Sequence, residues 1–410
     1  MFRSHLLFSR ISNSSFLTAI AIALVIPVPA QSGTKGVRPA SVDSSRHSKE
    51  LKTAIQNVGQ EELRSSWRWD GSTIEVRSRG DIELTDDELD VKVISQSGYL
   101  IIEQKDRSVV SRSLEVVAGP SGELKRSFTL QGQVQEFDAN AKGWLANILP
   151  EVIRYSGVGA RARVQRIIQR SGPDGVLDEI SKIRTDGSKH IYFRELIKSH
   201  HLDNGALRKL VQHVAYEIAS DGTKSAFLVG AADLYLNNDA VSPDFFVTID
   251  TLKADGDRRH VLSSLLEKDL SSQNLLRTLK AAAGISSDGD KATLFITYAD
   301  PYLRQSAVVP DFFASINAIK SNGDRRNIYL AFLEKNLNHE ILLRVLRSAA
   351  GISSDGDKAA VLIRAAEILP NDDVLRSVIL EISQTLSSDG DRRRVATVLS
   401  QKWLTPTRKS

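Results

Sequence analysis

The residues in this chain best suited to chemistry form a short acidic phrase that recurs down its last two-thirds. Ser-Asp-Gly-Asp followed by Lys or Arg, or a close variant, places an Asp-Gly or Asn-Gly pair at Asp186, Asp221, Asp255, Asp288, Asn322, Asp355 and Asp389. Paired carboxylates around a glycine suit calcium, an ion that takes many oxygen ligands. The EF-hand frame fails here. Counted from Asp288, the fifth, sixth and twelfth positions are Ala292, Thr293 and Ala299, and each copy has only two local carboxylates. The other use of such a phrase is helix capping. The Ser287 hydroxyl is placed to accept an N–H of the first helical turn, and Asp290 is placed to return a bond to the Ser287 N–H. Asp288 and Asp290 also put negative charge at the positive end of the helix dipole. The same frame stands at Ser321 and Asp324, Ser354 and Asp357, and Ser388 and Asp391. It is imperfect at Ala254 and Asp257, Thr185 and Ser188, and Ser220 and Thr223. The spacing therefore favours caps over calcium sites.

The remaining chemical residues offer less. Among eight histidines the only cluster is His200-His201 with His213, and no acidic or thiol partner stands at a zinc spacing. Gly157-Val158-Gly159 lacks the third glycine of a dinucleotide loop, and neither a phosphate-loop lysine nor a nucleophile elbow is present. No catalytic residue, metal ligand or cofactor site is expected. The arginines carry the candidate interaction sites. Arg258, Arg325 and Arg392 fall near helix N-termini, where the dipole disfavours a cation, so something must offset them. Either each meets an aspartate of the adjoining repeat in a ladder, or together they form an anion-binding stripe. Arg161, Arg163, Arg166 and Arg170 make the most basic short stretch. The last three share a helical face, which is either a solvated face, or one paired with the acidic sheet region, or one that meets phospholipid or another anion.

These residues must be held by the text between them. The anchors step by 35, 34, 33, 34, 33 and 34 residues, a signature of stacked helical repeats. After Asp255, Val261, Leu262, Leu265 and Leu266 make one apolar helical stripe. A break at Leu270-Ser271-Ser272 follows, and Leu275, Leu276, Leu279, Ala282, Ala283 and Ile285 make a second stripe. Neither helix buries its stripe alone, so two per unit, stacked unit on unit, make a continuous core. A longer beat of 67 residues overlies the first. Pro243-Asp244-Phe245-Phe246 returns as Pro310-Asp311-Phe312-Phe313, and Arg258-Arg259 returns as Arg325-Arg326 and Arg392-Arg393. The unit of duplication is thus a pair of repeats.

This pattern resembles the HEAT-like α-solenoids, at a period nearer 34 than theirs. Tetratricopeptide repeats share the period, but their Trp, Gly-Tyr and Pro pattern is absent. The Ser-Asp-x-Asp-Lys/Arg phrasing also resembles repeat regions of uncharacterised exported bacterial proteins with an N-terminal β-domain. More loosely, it resembles the tails of β-lactam-sensor-type membrane metallopeptidases, whose His-Glu-x-x-His is missing here. The resemblance implies a sensory or binding region without the protease.

Ahead of the repeats the period changes. From Trp67 to about Phe137, short alternating runs such as Ile74-Glu75-Val76-Arg77 and Val91-Lys92-Val93-Ile94 lie between Gly80, Gly98, Gly119-Pro120 and Gly122, which predicts about six strands. Trp144, Leu145, Ile148, Leu149, Val152 and Ile153 then begin helical text, with Pro150 expected to kink or split it. At the N-terminus, Arg3 and Arg10 precede the apolar run Phe16 to Val28, and Val28-Pro29-Ala30 offers a cleavage site before Gln31; the alternative is a retained membrane anchor, for which the run is short and broken by Pro27 and Pro29. The chain has no cysteine, so disulfides are excluded. Its net charge of +4 includes two arginines of the expected leader, so bulk charge gives little support for nucleic acid as a partner, and none is expected.

The expectation is an α+β multidomain protein, a small N-terminal β-sheet domain followed by an α-α superhelix. Its parts are a signal peptide at 1–30, a linker at 31–60, a β-sheet domain at 61–140, a helical cap at 141–185, an α-solenoid of about seven repeats at 186–404 and a tail at 405–410. The expected function is that of an exported, periplasmic or secreted, non-enzymatic scaffold or sensor that binds a protein or peptide. Its candidate interaction residues are Arg258, Arg325, Arg392, Arg163, Arg166 and Arg170, with an anionic membrane surface as a lesser partner. The alternatives are a receptor or enzyme with a cleft between β-domain and solenoid, and a structural envelope protein that associates through its sheet edge.

Overall fold

Alternating apolar residues build the first part of the molecule. The computed structural model describes residues 62–403, apart from Ser108, His200 and Asn371, and these residues belong to one unit spanning Asn57–Ser410. The expected leader, linker and tail lie outside the described residues. Eight strands follow one another: β1 (Leu63–Trp69), β2 (Ser72–Arg79), β3 (Ile82–Leu84), β4 (Val91–Ile94), β5 (Tyr99–Asp106), β6 (Val109–Ala118), β7 (Leu124–Leu130) and β8 (Gln133–Gln135). Six form an antiparallel sheet in the order β1-β2-β5-β6-β7-β8, and β3 pairs with β4 separately. Two strands exceed the sequence expectation. β1 has polar text at most positions, and β8 is cut from β7 by a turn at Gln131-Gly132 with both φ angles positive, 48° and 79°. Asp70-Gly71 makes the same kind of hairpin between β1 and β2 (φ 47° and 78°).

The register aligns one apolar face. Val76 and Leu114 both sit opposite Ile102, and Leu100 sits opposite Val116, all fully or almost fully buried. The cover for this face is α1 (Ala139–Ser156), capped by Asp138, whose carboxylate accepts the Ala141 N–H. Trp144, Leu145, Ile148, Leu149, Val152 and Ile153 share one core with the sheet. Tyr155 stacks on Trp67 at 4.9 Å, and the Trp144 indole N–H donates to Gln104 at 2.9 Å. The helix runs through Pro150 unsplit. The core thus associates α1 with the sheet, where the sequence grouped residues 141–185 with the helical repeats. Left-handed Gly157 ends α1, and α2 (Ala160–Ile180) begins the second core. α2 is broken at Gly172, whose φ of 68° precedes Pro173.

From here each acidic phrase opens a helix. The pairs are α3 (Asp186–Ser199) with α4 (Asn204–Glu217), α5 (Asp221–Leu236) with α6 (Ser242–Asp250), and α7 (Asp255–Leu266) with α8 (Ser272–Ala283). Next come α9 (Asp288–Thr297), α10 (Ala299–Leu303) and α11 (Val309–Asn317), then α12 (Asn322–Leu333) with α13 (His339–Ala349). Then α14 (Asp355–Ile368) pairs with α15 (Asp373–Gln384), and α16 (Asp389–Trp403) stands last. α10 continues α9 after a break at Tyr298, because Pro301 lacks the N–H and crowds the carbonyl four residues earlier. The phrase-bearing helices pack in one row, α3 on α5, α5 on α7, α7 on α9, α9 on α12, α12 on α14 and α14 on α16. The second helices make another row, α4 on α6, α6 on α8, α8 on α11 and α13 on α15. α11 and α13 are the neighbours in this row that do not pack closely. A continuous apolar core runs between the rows from Ala160 to Leu399. Among the described residues, no helix is long and apolar enough to cross a membrane.

Candidate functional site

Most of the chemistry-bearing residues are absorbed by the joints between repeats. Ser287, Ser321, Ser354 and Ser388 cap their helices, each hydroxyl accepting the N–H three residues on at 3.1–3.3 Å. Thr185 and Ser220 cap in the same way. The return bond of the expected capping box is replaced by a longer-range one. The N–H of Ser287 goes to Asp255, the first aspartate of the preceding repeat. The same arrangement runs along the chain. Asp186 accepts from Ala219 and Ser220, Asp221 from Lys253 and Ala254, Asp255 from Ser286 and Ser287, and Asp288 from Lys320 and Ser321, all at 2.6–3.1 Å. Asn322 takes the Ser353 N–H, and Asp355 takes that of Ser388. Each first Asp therefore staples its repeat to the backbone of the next. The N–H groups of Ser286 and Ser287 hold the Asp255 carboxyl below the ordinary aspartate range.

Four of the cations three residues after a staple, Lys189, Lys224, Arg258 and Arg325, solve their dipole problem by reaching a helix C-terminus, whereas Lys291 pairs back to Asp288 at 3.1 Å. Arg258 and Arg325 are buried, each 8% exposed. Arg258 donates to the carbonyls of Asp250 and Leu252 at 3.0 and 2.5 Å, and Arg325 donates to the Gly351 carbonyl at 2.9 Å and Asn317 Oδ1 at 3.2 Å. Lys189 and Lys224 reach the carbonyls of Glu217 and Ala215. A helix C-terminus carries the negative end of the dipole, so these cations are offset by carbonyls. The expected aspartate ladder is instead made by the second arginine of the first two pairs, Arg259 to Asp290 at 3.3 Å and Arg326 to Asp357 at 2.6 Å. Arg392 is exposed and pairs with its own Asp389 at 2.7 Å. Neither a ladder nor an open stripe thus describes Arg258, Arg325 and Arg392. The glycines of the 67-residue beat belong to the same joint. A β-carbon at Gly284 would overlap the Arg258 guanidinium, and one at Gly351 would fall 2.8 Å from Arg325 Nη2.

The basic stretch on α2 joins sheet to helices. Arg163 pairs with Glu88 at 2.6 Å and Glu179 at 2.9 Å, Arg166 with Glu88 at 3.1 Å, and Arg161 with Asp81 at 2.7 Å. Asp81 precedes β3 and Glu88 lies in the turn between β3 and β4, so Arg161, Arg163 and Arg166 pair with the acidic sheet region. Arg170 is exposed. His200 lies outside the described residues. His213 packs on Tyr216, and burial pushes its imidazole below the usual range. Among the described residues, no three His, Cys, Asp or Glu side chains converge as a metal site.

What remains uncommitted lies where the second row opens. Between the C-terminus of α11, the start of α12 and one face of α13 is a groove of about 740 Å³. It is lined by Asn317, Arg325, Glu340, Leu343, Arg344, Arg347, Ser348 and Gly351. The spacing of Glu340, Leu343, Arg344, Arg347 and Ser348 keeps them on one helical face. A second opening of about 560 Å³ lies toward the N-terminus of α13, with Leu303 and Ile341 in its wall. The equivalent joint 67 residues earlier, between α6 and α8, is closed by buried polar contacts. Ser242 donates to Asn274 Oδ1 at 2.7 Å, Asn274 Nδ2 donates to the Leu236 carbonyl at 3.0 Å, and Arg277 donates to Asn274 Oδ1 at 2.7 Å. Their counterparts at the open joint are Val309, Ile341, Leu303 and Arg344. The hydrogen-bonded tie is lost, and Arg344 has only Glu340 at 3.9 Å. Arg344 and Arg347 were not among the sequence candidates. The signal for them was there, in the loss of Ser242 and Asn274 from an otherwise close duplication.

Compared with protein-family models, with curated proteins and with solved structures, the chain matches none.

Proposed function

We propose that this protein is an exported, non-enzymatic scaffold whose helical pairs form an α-solenoid of HEAT-like type, and that it binds a protein or peptide partner at the open joint between α11 and α13. The observation that carries this reading is the contrast between two copies of one joint. The α6–α8 copy is sealed by Ser242, Asn274 and Arg277, and the α11–α13 copy is open and lined by polar and basic side chains. Stapled repeats supply a stiff frame, and a stiff frame with one unsealed joint suits recognition because little order is lost on binding. Ligand sites of this size accommodate a small molecule or a few residues of chain. The arginines of α2, spent on Glu88 and Glu179, leave less to favour a site at the sheet–helix joint.

The test is site-specific crosslinking. A photo-reactive residue at Leu343, in the groove, should capture a partner from the envelope fraction. The same residue at Val374, which is 50% exposed and lies on α15, should not. Equal capture at both positions, or at Val374 alone, would refute a site at this joint.

A further inference from the structure

Resting on the groove reading above, we infer that the occupant of the α11–α13 joint is a short extended peptide with acidic residues at alternate positions. The groove carries the guanidinium groups of Arg325, Arg344 and Arg347 against the single carboxylate of Glu340. Arg325 forms the fixed part. It is buried, it holds Asn317 and the Gly351 carbonyl, and its Nε has no hydrogen-bond partner. Arg344 and Arg347 are the available part. In the sealed copy Arg277 spends its guanidinium on Asn274, with Ser242 at 3.5 Å, and those acceptors have become Ile341 and Val309 here. The restraint on Arg344 is Glu340 at 3.9 Å, on a side chain that is 81% exposed. The counterpart of Arg347 in the sealed copy is Lys280. Replacement of a point charge by a planar fork suits a carboxylate, which arginine binds in bidentate geometry.

Spacing sets the pattern. Arg344 and Arg347 stand three residues apart on α13, so their side chains leave neighbouring points about 5–6 Å apart. Alternate residues of an extended chain point the same way and lie roughly 6.6–7 Å apart. Two carboxylates separated by one residue therefore meet the two arginines together, and adjacent ones do not. Leu343, Ser348 and Asn317 complete a lining of mixed polarity, which suits a peptide. The lining has no aromatic side chain on which bases would stack, and its single apolar residue, Leu343, gives a bilayer little to bury.

The experiment uses the full chain and fluorescein-labelled hexapeptides read by anisotropy. The probes are Leu-Glu-Leu-Glu-Leu-Gly, its glutamine counterpart, and an isomer with the two glutamates adjacent. The alternating acidic peptide should bind, more weakly as salt rises. Its affinity should fall about tenfold or more in Arg344→Ala and in Arg347→Ala, about 1.4 kcal/mol each. It should rise in Glu340→Gln and stay unchanged in Arg277→Ala. Thermal melts of the Arg344 and Arg347 variants, both at the surface, should match the parent protein. Equal binding of the glutamine peptide overturns the acidic preference, and equal binding of the adjacent isomer overturns the spacing. If the acidic peptide fails to bind while Leu343 crosslinks a partner, this inference falls and the scaffold reading stands. If both fail, both fall. If phosphatidylglycerol vesicles, and not the peptide, bind in an Arg344-dependent way, the occupant is a membrane surface and the inference is wrong.

Discussion

Asp288→Ala separates a staple between repeats from a simple helix cap. Asp288 Oδ2 accepts the N–H groups of Lys320 and Ser321 at 2.9 Å each, and its carboxylate also meets Lys291 at 3.1 Å. The side chain is 20% exposed, so water can replace part of what is lost. Bonds to a charged acceptor contribute about 1.5–3 kcal/mol each when well sheltered, and partial exposure brings the expected total to about 1–3 kcal/mol. Denaturant unfolding measures that total. Hydrogen exchange locates it. If Asp288 acts as a staple, the Lys320 and Ser321 amides, at the start of the next repeat, lose protection by about tenfold or more. If Asp288 acts only through the dipole of its own helix, the loss is confined to the first turn of α9. Asp288→Asn should cost less, since Asn322 fills the same role naturally and keeps the Ser353 N–H. Unchanged exchange at Lys320 and Ser321, with unfolding shifted by less than about 0.5 kcal/mol, would refute the staple.

Four further outcomes are expected. Arg258→Ala should cost about 2–3 kcal/mol in urea unfolding, because it strips the donor from the buried Leu252 carbonyl and the partly buried Asp250 carbonyl, whereas Arg259→Ala, removing an ion pair whose arginine is 41% exposed, should cost under about 1 kcal/mol. The staples should fail in acid. The Asp255 carboxyl is lowered by the Ser286 and Ser287 N–H groups, and that of Asp288 is lowered although burial opposes it, because the Ser321 N–H and Lys291 outweigh burial. Their contribution is therefore complete above the ordinary aspartate value near pH 4 and is lost as pH falls through the lowered folded values, so a double Asp255→Asn, Asp288→Asn variant should show a flatter acid limb. Calcium should leave the melting temperature unchanged, and a saturable rise abolished by Ser354→Ala with Asp357→Ala would overturn the capping assignment. Exported material should begin near Gln31 by intact mass, and a mature chain retaining Phe16 to Val28 would refute export by cleavage.

The sequence by itself determined what depends on short range. The period of two in Ile74-Glu75-Val76 and of 3.6 in Val261-Leu262-Leu265-Leu266 follows from local backbone geometry, so a strand region followed by helices could be read directly, whereas the mostly polar β1 and the short β8 could not. The serine caps were legible for the same reason, since donor and acceptor lie three residues apart. The tertiary structure decided everything that a side chain reaches across a repeat. Asp255 looks like part of its own cap, yet its partners are 31 and 32 residues away. Arg258 and Arg259 are neighbours with the same chemistry, but one points to buried carbonyls and the other to an aspartate, because adjacent helical residues face about 100° apart. α1 has the amphipathic pattern of any repeat helix, and only packing assigned its apolar face to the sheet. The groove between α11 and α13 was the least legible. Val309 and Ile341 read as ordinary core residues, and their consequence, an unsealed joint with two arginines at its edge, exists only once the helices are in place.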